Sequence, residues 1–415
     1  MTTASDISDF EWLISDAARP WLAEAAEEAS ASLVTLTTRF RRELSAARAH
    51  LVLEQAALRR RAREKFRLAD AMFFTPVALE QATDETIARY KASRFPRNAA
   101  IADLCCGIGG DAIGLALIGG EFRGYDRSPA HGIFAAANVR LYLAEAGLPT
   151  ERFAVEAADV GQVNWTPTAW HADPDRRASG RRTTAIEFHD PSTEVLERWL
   201  ARQPAAAIKL APAAQLPNAW HAAAECEWIS RGGECRQLVA WFGSLAPRVG
   251  QHVATVLTTS EGRRQISGTP RLPIPPANTI GRYVYEPDAA ILAARLAGQL
   301  ANELGLSSFS PETAYLTGDR PVIDAAVAGF EVLDVLPFQV KKLKAYLRQH
   351  QAGHVEVKKR GVSCDPLALQ KQLSADGSEK LVVLVTRYQA KSVAIVARRL
   401  LHSIDPANAA HVEEV

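Results

Sequence analysis

With 415 residues, 47% of them apolar, and a formal net charge of +1, the chain has the material for a large buried core in about two or three domains and no global field with which to hold a polyanion. No apolar run approaches the ~18 residues of a membrane span, and the N-terminal stretch "MTTASDISDFEWLISDAARP" carries acids where a secretory signal carries bases. The five cysteines form neither a disulfide scaffold nor paired C-x-x-C ligands, so the expectation is a cytoplasmic protein with no membrane partner and no metal.

In chain order, residues 1–69 read as a helical N-terminal region, rich in Ala, Leu, Glu and Arg, with Leu44, Leu51 and Leu58 seven apart on one helix side. It ends in the basic run "RRRAREKFR" (59–67), either a solvated helix face or a nucleic-acid contact. Residues 70–262 alternate short apolar runs ("AAIADL", "EFRGYD", "RFAVEAAD", "TAWHAD", "AAAIKLAP", "ECEWIS", "HVATVLT") with helical stretches, which predicts an α/β domain with a largely parallel sheet. The proline-rich stretch within 263–279 reads as a connector. Residues 280–415 form a smaller C-terminal α/β region with a basic amphipathic helix and the strand-like run "KLVVLVTRY".

The stretch "IADLCCGIGGD" (101–111) has the order strand, glycine turn, helix starting near Asp111. Glycine there lets the backbone approach a ligand, and a nucleotide-type cofactor is expected. Gly107, Gly109 and Ala112 satisfy G-x-G-x-x-A, so a dinucleotide remains open on that signal alone. Asp103 distinguishes the two: a carboxylate at the strand end repels a pyrophosphate and favours the cationic aminoacyl end of S-adenosylmethionine. Asp126 in "GYDRSP" is placed to accept ribose hydroxyls, Asp159 in "AAD" to accept the adenine amino group, and Asp173-Pro174 closes a fourth strand. All four acids fall at strand C-termini, the ligand edge of an open α/β sheet.

With "MFFTPVALEQAT" (72–83) ahead of it, this segment resembles the class I S-adenosylmethionine-dependent methyltransferases. It is similar in particular to the trimethylguanosine synthase group of RNA methyltransferases. The phrases "YEPD", "TGD", "VLPF" and "VKKRGV" resemble methyltransferase-like proteins with a C-terminal THUMP-like domain, here at about 330–405. The resemblance implies a Rossmann-like seven-stranded methyltransferase domain, S-adenosyl-L-methionine as cofactor, and an RNA partner of tRNA or rRNA type. It also implies a cofactor site of Phe74, Thr75, Asp103, Gly107, Gly109, Asp111, Asp126 and Asp159.

The chemistry is expected at Asp173-Pro174-Asp175-Arg176. Amino-group methyltransferases place an acid or amide, two prolines and an aromatic ring at this point; here Asp175 and Arg176 replace the second proline and the ring. Asp173 and Pro174 are the catalytic candidates, aligning an exocyclic amine of an RNA base. Arg176 and Arg177, followed by Arg181 and Arg182, suggest a phosphate clamp, and Lys358, Lys359 and Arg360 with Lys341, Lys342, Lys344 and Arg348 suggest an RNA-binding patch. Trp170, Trp199, Trp220 and Trp241 read as packing residues, His171 and His189 have no triad partner, and the "LCCG" cysteines read as packing against the turn. A small-molecule methyltransferase and a non-catalytic RNA-binding protein retaining the cofactor fold are the alternatives.

Overall fold

A computed structural model describes residues 6–27, 33–176, 184–258, 262–310 and 313–400. The chain forms two compact units, Met1–Glu225 with Val239–Val249, and Cys226–Leu238 with Gly250–Val415. Among the described residues no helix is long and apolar enough to cross a membrane, and no group of three or more His, Cys, Asp or Glu could hold a metal.

The first unit opens with helices α1 (Ile7–Leu13), α2 (Arg19–Glu27), α3 (Leu33–Phe40) and α4 (Ala46–Ala62). Ser45 caps α4 by accepting the Arg48 N–H; Leu51 and Leu58 are buried on α4 as their spacing suggests, while Leu44 precedes the cap and lies outside the helix. The basic run that begins in the last turn of α4 is largely committed internally. Arg59 donates to the Met72 carbonyl, with burial lowering its pKa to about 10; Lys65 donates to the carbonyls of Leu79, Glu80 and Ala82; Arg67 pairs with Glu145. These cations fasten the helical region to the segments that follow it, a use that neither expectation for the run included.

Next come α5 (Pro76–Gln81), capped by Thr75, and α6 (Glu85–Ala92), capped by Asp84. The central alternation is β1 (Ile101–Leu104), α7 (Gly110–Ala116), β2 (Phe122–Asp126), α8 (Pro129–Glu145), β3 (Phe153–Ala157), β4 (Ala169–Ala172), α9 (Thr193–Arg202), β5 (Ala206–Leu210) and α10 (Asn218–Ala223). Strands β1 to β5 pair in parallel in the order β3-β2-β1-β4-β5, so the order reverses between β1 and β4. In such a sheet the crevice at the strand C-termini beside the reversal is the ligand site. Helix α7 sits close to α6 because Gly114 has no side chain: a Cβ there would lie 2.5 Å from the Ala88 carbonyl oxygen. Trp170, Trp199, Trp220 and Trp241 are all buried.

Strand β6 (Glu225–Arg231) is followed, through Gly232 and Gly233 at positive φ, by β7 (Glu234–Phe242). Such a two-residue turn suits a hairpin. The part of β7 from Val239 lies in the first unit, next to β5. Strand β7 is missing from the expected runs because its first half, "ECRQ", lacks an apolar signal.

In the second unit β6 pairs in parallel with β8 (His252–Leu257), and β8 pairs antiparallel with β9 (Arg263–Gly268). The residues 263–268 of the expected connector are therefore strand. A separate sheet holds β10 (Tyr283–Pro287), β11 (Leu316–Gly318), β12 (Val327–Pro337), β13 (Ala352–Lys359), β14 (Glu379–Tyr388) and β15 (Lys391–Arg399), in the order β11-β10-β12-β15-β14-β13. Helices α11 (Ala289–Ala293), α12 (Ala297–Leu304), α13 (Val340–Gln349) and α14 (Pro366–Leu373) complete the unit. Leu343 and Leu347 of α13 and Leu369 and Leu373 of α14 pack with Val355, Val383 and Val396 of the sheet. Alternate residues of the same strands, Val382, Leu384 and Ile395, enter a second cluster with Phe309, Tyr315 and Phe330.

Candidate active site

The glycine turn is shaped by three residues with positive φ, Cys105 (70°), Gly107 (54°) and Gly109 (92°). A non-glycine residue in that region is uncommon, and the backbone here is held: Cys105 N–H and Cys106 N–H both donate to the Tyr125 carbonyl, at 2.8 and 2.9 Å. Burial pushes both thiols well above their ordinary pKa, which leaves them as packing groups. Gly107 faces open space, with no atom within 4 Å of where its Cβ would be.

The Gly107 N–H donates to Asp126 Oδ2 at 2.9 Å, and Asp126 Oδ1 accepts from the Ser128 N–H at 2.9 Å. Burial pushes the Asp126 carboxyl upward, but hydrogen bonds from His131, Ser128 and Gly107 outweigh it and hold the group below its usual value. Oδ1 is taken by Ser128 and His131, and Oδ2 retains lone-pair capacity for a further donor. Asp159 accepts from the Gly161 N–H at 2.9 Å and pairs with Arg127 at 3.1 Å, both of which favour its charged form. Arg127 also pairs with Asp190, so it joins the Asp159 loop to the chain that returns beside Asp175.

Asp103 is the third residue of β1 and lies in register with His171 of β4. Both are about 1% exposed, and Asp103 Oδ1 lies 2.7 Å from His171 Nδ1. This supplies the partner for His171 that the sequence did not reveal. Asp103 Oδ2 is buried without a hydrogen-bond partner. Asp111, in contrast, is engaged at both oxygens, by Lys91 at 2.6 Å and by the Thr83 hydroxyl at 2.8 Å. Burial alone raises the Asp111 pKa; Lys91 reverses that and holds the carboxyl below its ordinary range.

Phe74 is a core ring beside Phe66, its N–H and carbonyl both taken by Gln55, and Thr75 caps α5. Asp173 follows β4 and its Oδ2 accepts from the Lys209 ammonium at 2.5 Å. Burial lowers the pKa of Lys209, but Asp173 and Asp111 outweigh it and keep the ammonium above its usual value. Asp173 Oδ1 has no partner among the described residues. The backbone of Asp175 pairs with that of Asp190 at 2.7 and 3.0 Å, which fixes the chain after Pro174. Arg176 is half-buried; Arg177, Arg181 and Arg182 lie outside the described residues.

The residues fit a bound sulfonium nucleoside. They offer an open backbone at Gly107, a carboxylate at the end of β2, and a buried carboxylate oxygen in β1 that lacks a cationic donor. Two S-adenosylmethionine-dependent methyltransferases, from two strains of Mycobacterium tuberculosis, are each 30% identical to this chain over 358 residues, covering 84% of it and 96% of their own length. The chain belongs to the S-adenosylmethionine-dependent methyltransferases. S-adenosylmethionine is accordingly the cofactor of this methyltransferase. A crystal structure of a protein from Porphyromonas gingivalis, described as a methyltransferase, superposes with a TM-score of 0.72 over 86% of this chain and 92% of that one, at 21% identity, and shares the fold. Residues 327–399 match the THUMP domain-like family, and residues 6–62 match a domain of unknown function, DUF8688.

In the second unit, the basic residues expected to face RNA differ in their engagement. Lys358 pairs with Glu286 at 2.7 Å and Arg360 pairs with the same carboxylate at 3.1 Å, while Lys359 donates to the Cys364 carbonyl. Lys341, Lys342 and Arg348 of α13 are exposed and without an ion pair among the described residues, next to a Tyr346–His350 ring stack at 4.0 Å. In the first unit, Lys91, Arg127, His171 and Lys209 are the site residues that sequence reasoning missed. All four derive their importance from partners distant in sequence, and only the apolar strand setting of Lys209 in "AAIKL" offered a local signal.

Proposed function

We propose that this methyltransferase acts on structured RNA, with an exocyclic amine of a base as acceptor. The observation that carries the RNA reading is the THUMP domain-like match over residues 327–399. The uncommitted cations of α13 support it, since Lys341, Lys342 and Arg348 beside a stacked ring pair have the charge and the π surface that RNA contacts use. The contacts first assigned to Lys358, Lys359 and Arg360 must compete with Glu286 and the Cys364 carbonyl, so α13 is the stronger phosphate surface.

In this reading residues 70–262 are the catalytic domain, and the likeness of "MFFTPVALEQAT" and "DLCCGIGGDAIGLA" to the trimethylguanosine synthase group favours a base amine. Bound S-adenosylmethionine supplies the electrophilic methyl. Asp103, the Gly107–Gly109 turn, Asp126 and Asp159 hold the cofactor, while Phe74 and Thr75 set the wall behind them. Asp173 receives an N–H of the acceptor on Oδ1, with Oδ2 anchored by Lys209, and Pro174 fixes the turn. Transfer to nitrogen requires alignment and loss of one proton, and the Asp173 carboxylate is placed to accept it. Arg176 contacts phosphate beside the acceptor.

The test is RNA binding as a function of salt. Reversing Lys341, Lys342 and Arg348 to Glu should flatten the slope of log affinity against log salt by about two to three units, at roughly 0.7–0.9 per phosphate contact. An unchanged slope for this variant and for the Lys358, Lys359 and Arg360 reversal would favour a small-molecule acceptor.

A further inference from the structure

Beneath the cofactor turn lies a closed line of buried polar groups drawn from four elements. Thr83 precedes α6, Lys91 is in α6, Asp111 opens α7, His171 is in β4 and Asp103 is in β1. Lys91 is about 1% exposed, with Nζ 2.6 Å from Asp111 Oδ1 and 3.2 Å from His171 Nε2. Burial outweighs the pull of Asp111 and leaves its pKa below the usual lysine value, while Asp111, itself held ionised at 2.6 Å, favours the ammonium form.

An ammonium has three donors and no acceptor, so its contact with His171 Nε2 requires a lone pair on that nitrogen. The neutral ring then carries its proton on Nδ1, which faces Asp103 Oδ1 at 2.7 Å and donates to it. Asp103 is thereby fixed through one oxygen, and Oδ2 is left buried without a partner. Burial pushes the Asp103 carboxyl up, so the site favours a donor that restores its charge. Lys91 is committed to Asp111 and His171, and the donor must come from a ligand. The α-ammonium of S-adenosylmethionine is a donor of that kind.

We infer that Lys91 and His171 are positioning residues of the cofactor site: Lys91 dictates the His171 tautomer, and the His171 Nδ1–H holds Asp103 so that Oδ2 receives the cofactor's ammonium. Without Lys91 the ring is free to carry its proton on Nε2. A lone pair on Nδ1 would then oppose Asp103 Oδ1, and the carboxylate would turn or take up a proton. The effect is confined to the aminoacyl end of the ligand; the nucleoside end depends on Asp126 and Asp159, which take no part in this line.

Two ligands separate the ends. S-adenosylhomocysteine carries the ammonium, and 5′-methylthioadenosine lacks the whole aminoacyl arm. In calorimetry, Lys91→Met and His171→Phe should each weaken S-adenosylhomocysteine by roughly tenfold or more, the scale of one charged hydrogen bond, and leave 5′-methylthioadenosine within about twofold. His171→Asn, whose amide nitrogen overlays Nδ1 and can donate to Asp103, should recover most of the loss. A long-range nitrogen–proton NMR correlation on the ligand-free protein, assigned with His171→Asn, should show the proton on Nδ1 in the parent and lose that pattern in Lys91→Met. Equal weakening of both ligands in the variants, or a parent ring protonated on Nε2, would overturn the assignment. If Lys91→Met does not fold, His171→Phe against His171→Asn and the parent spectrum decide it alone.

Discussion

Asp173 and Lys209 should be energetically coupled, and a double-mutant cycle measures the coupling. Lys209 Nζ lies 2.5 Å from Asp173 Oδ2, with the lysine side chain 13% exposed and the aspartate 32%. Removing one partner of a fully buried pair costs about 3–5 kcal/mol, and of an exposed pair about 0–1, so this part-exposed pair belongs between them. Asp173→Ala leaves the better-buried ammonium uncompensated except by Asp111, and should cost about 2 kcal/mol, or roughly 4–8 °C in Tm for a unit of this size. Lys209→Met leaves a carboxylate that water can reach, and should cost about 1 kcal/mol. The double variant should cost little more than Lys209→Met, giving a coupling of about 1–2 kcal/mol in urea unfolding. Asp173 and Asp111 raise the Lys209 pKa, so the coupling is complete below the unfolded lysine value of about 10.4 and is lost as pH rises through the folded value. It should therefore be constant from pH 7 to 9. Additivity of the two substitutions within about 0.5 kcal/mol would refute the pairing.

Other outcomes follow from the same geometry. If Asp173 acts on the acceptor as proposed, Asp173→Ala should abolish methyl transfer while S-adenosylhomocysteine affinity stays within roughly threefold; parallel turnover and calorimetry check this. Asp126→Ala should weaken S-adenosylhomocysteine by about 1.5–3 kcal/mol through loss of charged hydrogen bonds, again by calorimetry. Asp111 has a depressed folded pKa, so its contribution is present above the unfolded value of about 3.9 and is lost as pH falls; Asp111→Asn should flatten the acid limb of the stability curve between about pH 4 and 2. Gly114→Ala should destabilise by about 1–3 kcal/mol, since its Cβ would meet the Ala88 carbonyl oxygen at 2.5 Å; chemical denaturation reads the difference.

The strand–turn–helix unit around Gly107 was legible because its signals are local: an apolar run, glycines at positive φ and an acid at the strand end all occur within residues 101–111. The positions of Asp126, Asp159 and Asp173 were legible for the same reason, Asp126 closing β2 and the other two following β3 and β4. Pairing between elements was not. His171 meets Asp103 across 68 residues, and Lys91 reads in "ARYKASRF" as an ordinary surface cation until α6 closes on α7 through Gly114. The partners of the basic clusters were hidden in the same way. A run of like charges in sequence says nothing of partners such as Glu286, 74 residues from Arg360, or Glu145, 78 residues from Arg67. Asp175 and Arg176, which depart from the expected motif, sit on a segment pinned to Asp190, an arrangement no local pattern encodes.

The proposed reaction is transfer of a methyl group from S-adenosylmethionine to RNA. Its most direct test is incubation of the purified protein with tritiated-methyl S-adenosylmethionine and RNA from cells lacking the gene, followed by nucleoside mass spectrometry. Label is expected in structured RNA, recovered as one N-methylated base nucleoside and absent with Asp173→Ala. RNA left unlabelled by protein that binds S-adenosylhomocysteine, or label recovered only in small molecules, would contradict it.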